Sequence, residues 1–222
     1  MNSRWWIAAA LYAGFAAREA GADSACIASQ VYCGQYTTSS APSLSVGCYS
    51  QRGHGIVSYD ITAGTLSAFG QGGFVPSVTM TDSFQVVGPP DGTPLDFAAQ
   101  LMLSGEAHTN TCDLNCCFGV AGGRIQEGAS NRVQADFRPS CGAMGINMTV
   151  EVQVRRASGE RFLMVAVVYG GGDEGGRGDI RGTLRFSGLP EGASVVSCNG
   201  FRQDVPLPVV RASWGQLKTT YR

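Results

Sequence analysis

The chain has 222 residues, with sixteen basic and seventeen acidic side chains, so its formal net charge is −1. Charged residues make up 15% of it, against roughly 25% in an average soluble domain. The sequence therefore lacks the basic excess that marks nucleic-acid-binding proteins. A hydrophobic fraction of 44% excludes both a disordered chain and a bundle of membrane helices.

Residues 1–22 have the three parts of a secretory signal peptide. Arg4 supplies positive charge, an uncharged apolar run covers residues 5–17, and Ala20-Gly21-Ala22 offers a small-residue cleavage pattern. A bilayer span needs about 20 apolar residues, so this run is too short to cross one. A short N-terminal helix is the alternative. We therefore predict an exported protein, secreted or in the cell envelope, with one domain at 23–222 and no transmembrane segment.

Apolar and polar side chains alternate along most of the remaining chain, which is typical of strands that bury one face. Residues 162–169 form a continuous apolar run that indicates a strand buried on both faces. Alternating strands are predicted at residues 44–49, 56–61, 65–69, 78–86, 95–103, 133–137, 146–154, 180–186, 195–201 and 209–214. About ten short strands with Gly/Pro punctuation predict an all-β fold, a single antiparallel β-sandwich of the jelly-roll kind.

Strands that cross the full height of a sandwich place successive loops at alternate ends. One end then receives tight turns, at 88–94, 126–131, 155–160 and 187–192. The other end receives longer loops, at 104–118, 138–145 and 170–178. Because binding residues concentrate on loops held by a rigid scaffold, we expect a binding surface at this second end. Its candidate binding residues are His108, Asp173, Glu174 and Asp179.

The leading functional interpretation is a non-catalytic exported domain that binds a glycan or an envelope protein, or serves structurally. A secreted hydrolase is the alternative, with Ser104, His108 and Asp113 as catalytic groups. The sequence has no G-x-S-x-G or similar nucleophile motif, which favours the non-catalytic interpretation. Calcium could be ligated by Asp173, Glu174 and Asp179, but no twelve-residue ligand ladder accompanies them. We expect no cofactor, no metal and no nucleic-acid partner.

All eight cysteines follow the predicted signal peptide, and an even count in an exported chain favours disulfides. The loop argument brings together one set of four, Cys112, Cys116, Cys117 and Cys141. The second set is Cys26, Cys33, Cys48 and Cys198, for which the favoured pairing is Cys26–Cys33 with Cys48–Cys198. A bond between the adjacent Cys116 and Cys117 is excluded because their Cα atoms are too close. A zinc site on the first set is the alternative, although its spacing matches no common zinc pattern.

Two segments resemble exported bacterial β-sandwich proteins. The first is TDSFQVVGPPDGTPL at 81–95. The second runs from GLPEG at 188–192 through SCNGF at 197–201 to SWGQLK at 213–218. The resemblance covers residues 45–222 and implies a cell-envelope or secreted sandwich. It implies no activity, because the shared segments are structural turns.

Overall fold

The computed structural model describes residues 29–33, 35–49, 53–109, 118–129, 131–173 and 175–206. These residues form fourteen strands and no helix, and none of their segments is a membrane-spanning helix. The strands are β1 (Ser29–Tyr32), β2 (Tyr36–Ser39), β3 (Ser43–Tyr49), β4 (His54–Asp60), β5 (Thr65–Gln71), β6 (Ser77–Val87), β7 (Pro94–Thr109), β8 (Gly119–Glu127), β9 (Asn131–Phe137), β10 (Gly142–Ala157), β11 (Arg161–Gly172), β12 (Gly176–Ser187), β13 (Ser194–Ser197) and β14 (Arg202–Asp204). The signal peptide predicted at 1–22 and the strand predicted at 209–214 lie outside the described residues.

The strands form two antiparallel sheets that pack face to face, as predicted. The six-stranded sheet has the order β10-β7-β12-β5-β4-β3. The eight-stranded sheet has the order β14-β13-β6-β11-β8-β9, with β1 also paired to β6 and β2 paired to β1. The inner faces enclose one continuous apolar core.

The topology is that of a jelly roll, because strands β5 to β12 form a set of nested antiparallel pairs. β8 pairs with β9, β7 with β10, β6 with β11 and β5 with β12. Rolling up this long double ribbon brings β12 beside β7 and β11 beside β8, which completes the two sheets. The predicted all-β sandwich is therefore confirmed.

Several strands extend beyond their predicted bounds. β7 continues to Thr109, β10 begins at Gly142, and the β11–β12 hairpin leaves only residues 173–175 between its strands. The segments 104–109, 142–145, 170–172 and 176–178 are thus strands, where loops were expected. Glycine is frequent there, so the apolar alternation that marks a strand fades although the backbone pairing continues. For the same reason β8 escaped prediction.

The loops nevertheless alternate between two ends as expected, and the two ends are packed differently. At one end, large aromatic side chains fill the space between the sheets. Phe84 is fully buried, and its ring centroid lies 5.4 Å from that of Phe186 and 5.6 Å from that of Phe201. We call this the phenylalanine end; its members are Phe84, Phe97, Phe162, Phe186 and Phe201.

At the opposite end the backbones of the two sheets touch, and glycine makes this contact possible. A Cβ at position 178 would lie 2.0 Å from the carbonyl oxygen of Val120, and one at position 176 would lie 1.9 Å from that of Phe118. Side-chain atoms do not approach backbone so closely. We call this the glycine end; its members are Gly55, Gly70, Gly119, Gly171, Gly176 and Gly178.

Asp82 interrupts the apolar alternation of β6, and it is fully buried at a core-facing position. Its carboxylate accepts hydrogen bonds from the backbone N–H of Ser83 at 2.8 Å and from the side-chain amide of Asn199 at 3.1 Å. It thereby holds the turn after β13, where a single strand had been predicted over 195–201. Burial raises the pKa of Asp82 above its ordinary value, and the hydrogen bonds from Ser197, Ser83 and Asn199 oppose that shift.

Candidate binding face

The outer face of the six-stranded sheet, at the glycine end, brings together side chains from five strands. Cross-strand pairing aligns one row of five residues, which we call the first row: His108, Arg177, Gln71, His54 and Tyr49. The next row toward the other end, the second row, is Glu106, Asp179, Phe69 and Ile56. These residues alternate with buried ones along their strands, so both rows face away from the core. Together the two rows form the candidate binding face.

Tyr49 is the most exposed large side chain of this face, with 81% of its surface accessible. Its ring occupies the space above Gly47. A Cβ at position 47 would lie 3.0 Å from the ring carbon Cε2 and 3.2 Å from the phenolic oxygen. Because Gly47 has no side chain, the ring can lie along the sheet and present an open aromatic surface.

Beside Tyr49, aromatic and polar groups alternate across the sheet. The rings of His54 and Phe69 contact each other with centroids 5.7 Å apart. The Gln71 side-chain amide lies 3.4 Å from His54 Nδ1, and the Arg177 guanidinium donates to Glu106 at 2.6 Å. Ile56 is 47% exposed next to Phe69. The face therefore combines apolar surface with hydrogen-bonding groups held by neighbours.

The glycine end supports the candidate binding face from the inner side of its sheet. Inner-face positions directly below the two rows include Gly55, Gly70 and Gly178. A Cβ at position 70 would lie 2.4 Å from the Pro76 ring, and one at position 55 would lie 2.8 Å from it. Because the backbone beneath the face rests directly on the other layer, its side chains project from a preorganised support.

A disulfide between Cys33 and Cys48 holds the Tyr49 strand in place. Cys48 lies on the inner side of β3, Cys33 follows β1 in the other sheet, and their Cα atoms are 5.3 Å apart. The bond closes a separation of 15 residues, for which the chain-entropy estimate is about 3 kcal/mol of stabilisation. The favoured pairing of Cys26 with Cys33 and of Cys48 with Cys198 is therefore wrong. Cys26–Cys33 was favoured because these two cysteines are close in the sequence. In the structure, the packing of the two sheets brings Cys33 next to Cys48, which sequence separation does not reveal.

Cys141 and Cys198 are also disulfide-bonded. A disulfide-bonded Cys141 is not a zinc ligand, which argues against the zinc alternative. Cys26, Cys112, Cys116 and Cys117 lie outside the described residues, so the division into two sets of four remains a prediction.

The structure brings two of the four predicted binding residues into the candidate binding face. His108 lies on β7 in the first row, and Asp179 lies on β12 in the second row. Asp173 has a structural contact instead: its carboxylate accepts a hydrogen bond of 2.7 Å from the Phe118 N–H and so ties the β11–β12 hairpin to the start of β8. Glu174 lies outside the described residues. No cluster of three metal-ligating side chains occurs among the residues that the structure describes.

The structure does not bring Ser104 and His108 of the alternative hydrolytic site together. Ser104 and His108 lie four residues apart on the same extended strand, and a rise of about 3.4 Å per residue separates them by roughly 13 Å. A nucleophile and its general base need hydrogen-bond contact, so these two side chains cannot act as such a pair. Asp113 lies outside the described residues.

Sequence reasoning missed Tyr49, Phe69, Gln71 and Arg177 because they come from three different strands, β3, β5 and β12. Their common face could be deduced only with the pairing register. The strand predicted at 65–69 does include Phe69, and this was the one available signal.

Comparisons with known proteins add one weak structural similarity. No protein-family model matches the chain, and no curated protein matches it significantly. Among solved structures, it is similar to TmCBM61, determined in complex with β-1,4-galactotriose. The identity is 11% and the TM-score 0.25, over 67% of this chain and 89% of the other.

Proposed function

We propose that this chain is an exported, non-catalytic β-sandwich that binds a glycan on the candidate binding face. The observation that carries the proposal is the open ring of Tyr49 beside Phe69, His54 and Gln71 on one rigid surface. A sugar ring has an apolar side made of polarised C–H groups and an edge of hydroxyls. Aromatic faces carry a negative quadrupole that attracts such C–H groups, and the amide, imidazole and guanidinium groups can bond the hydroxyls.

Patches of this kind are unusual on a soluble domain. Single exposed apolar residues need no explanation, but contiguous ones rimmed by polar groups mark interaction sites. Tyr49, Ile56 and Phe69 are such neighbours, and His108 with Arg177 forms the polar rim on the side of the predicted loop end. The described ends of those predicted loops, at Thr109 and Gly176, adjoin His108 and Arg177 at the border of the face.

Export is part of the same proposal. It is supported by the Cys33–Cys48 bond, because structural disulfides persist in oxidising compartments. We place the protein in the cell envelope or outside the cell, where polysaccharides are abundant.

A glycan-array screen followed by calorimetry on the best ligand tests the proposal. We expect Tyr49→Ala to weaken binding about tenfold or more, as truncation of a central aromatic contact does. Gly47→Ala should also weaken it, since the new methyl group displaces the Tyr49 ring without removing it. Met102→Ala, on the same outer face but outside the two rows, is the matched control and should bind normally.

Absence of binding to every sugar on the array would reject the glycan proposal and favour a structural role or an envelope-protein partner. Equal binding by the Tyr49→Ala and Met102→Ala variants would place the glycan elsewhere on the molecule.

A further inference from the structure

The sheet edges of this molecule are protected to very different degrees. Exposed edges carry unpaired N–H and C=O groups that can pair with another chain, so proteins normally shorten, charge or cover them. β14 has three residues, and β3 has seven and is fixed by the disulfide at Cys48. β9 has seven residues that include Arg132 and Asp136. β10, by contrast, is sixteen residues long.

Three hydrogen bonds define which groups of β10 face outward. Ser158, just beyond the strand, donates its N–H toward β7, to the carbonyl of Thr93. The alternate residues point the other way: the Ala157 N–H bonds the Glu160 side chain, and the Gln153 carbonyl accepts from Asn131. Pairing with β7 runs without a bulge, so the odd-numbered residues of β10 direct their backbone groups to the free edge.

Among the described residues, the part of that edge nearer the glycine end, residues 142–150, has none of the usual protection. Its sequence, GAMGINMTV, contains no charge and no proline. Asn131 covers the edge at Gln153, but no strand of the described chain pairs with it over 142–150. Met144 and Met148 are 40% and 38% exposed beside it. We call residues 142–150 the open edge.

We propose that the open edge pairs, antiparallel, with the open edge of a second copy of this chain. Antiparallel pairing about a two-fold axis is self-complementary. With Asn147 opposite its own copy, Ala143 faces the partner copy's Glu151 and Ile146 faces its Met148, so no like charges meet. A strand of another protein would suit this edge only if it were also uncharged, whereas a second copy of this chain always supplies such a segment.

Pairing would join two six-stranded sheets into one continuous sheet. A two-fold axis perpendicular to the sheet leaves both candidate binding faces on the same side of it. The nine residues paired in this register, 143–151, span only about 30 Å. One strand pair of that length buries less surface than the roughly 1,600 Å² of a standard interface. The dimer is therefore weak and concentration-dependent. This inference does not depend on the glycan proposal.

Sedimentation velocity of the full chain over a concentration series tests the inference. The weight-average mass should rise from that of a monomer toward that of a dimer. Met148→Lys puts a charge at the edge, and Asn147→Pro removes an outward N–H without breaking a bond to β7; each should weaken association about tenfold or more. Met102→Lys, 42% exposed one strand further in, is the matched control and should dimerise normally.

Circular dichroism on each variant separates loss of pairing from loss of folding. An unaltered chain that stays monomeric at every concentration would overturn the inference. So would a dimer that neither folded edge variant weakens, because association would then use another surface.

Discussion

The glycine end and the phenylalanine end close the same sandwich with opposite side chains. At the phenylalanine end five rings hold the sheets apart and interlock, whereas at the glycine end the backbones themselves are in contact. Rings in contact can shift when one is trimmed, but two backbones separated by no side chain have no room to move. Direct backbone contact between the two layers is therefore concentrated beneath the candidate binding face.

The disulfide fits the same contrast. At the glycine end the sheets contact each other through backbone at several glycines, where no large side chain adds the hydrophobic contribution that the rings add at the phenylalanine end. The Cys33–Cys48 bond lies toward that end, just after β1 and on β3, and supplies a covalent link between the sheets there.

The largest effect is expected when a methyl group is forced between the backbones. Gly178→Ala puts a Cβ 2.0 Å from the Val120 carbonyl oxygen, and relief requires the sheets to separate. We expect a loss of about 4 kcal/mol or more in the free energy of unfolding, measured by chemical denaturation. The control is Gly145→Ala in the same sheet, whose Cβ would meet nothing within 4 Å and which should be nearly neutral. A loss below about 1 kcal/mol for Gly178→Ala would mean that the sheets are not in contact there.

Alternation predicted the fold where side chains carry the packing. Val150, Val152 and Val154 are buried and alternate with exposed residues, as their pattern indicated. At the glycine end the same logic fails, since β8 reads GVAGGRIQE and its glycines carry no hydrophobic signal. The high glycine content was visible in the sequence, but only the sheet contact explains it.

The candidate binding face was harder to predict than the fold. Tyr49 and His108 are 59 positions apart in the sequence and share a row only because β3, β4, β5, β12 and β7 pair in that order. Pairing order in a jelly roll follows from nested hairpins, which a single sequence does not reveal. Asp82 shows the reverse case, because its break in the apolar alternation was visible and marked a buried polar contact.

A smaller effect is expected from trimming the phenylalanine end. Phe84→Leu removes the ring contacts with Phe162, Phe186 and Phe201 but leaves an apolar side chain of similar volume. Neighbouring rings can move into the gap, so the loss in the free energy of unfolding should be about 1–2 kcal/mol. The same denaturation measurement checks it. A loss equal to that of Gly178→Ala would remove the proposed difference between the ends.

The smallest effect concerns pH, and it separates a buried carboxyl from an exposed one. The pKa of Asp82 is raised above its ordinary value of 3.8, mainly by burial. The native state therefore favours protonated Asp82, whose contribution to stability is complete below pH 3.8 and is lost as pH rises through the folded pKa. Unfolding curves of the unaltered chain and of Asp82→Asn, compared over this window, should show the difference falling with pH.

Asp204→Asn is the matched control, with the opposite sign. Hydrogen bonds from Ser194 and Arg202 lower the pKa of the exposed Asp204 carboxyl. Its contribution is therefore present above pH 3.8 and is lost as pH falls through the lowered folded pKa. A difference for Asp82→Asn that grows as pH rises would show that the hydrogen bonds from Ser197, Ser83 and Asn199 outweigh burial, and that the Asp82 carboxylate is stabilised in the native state.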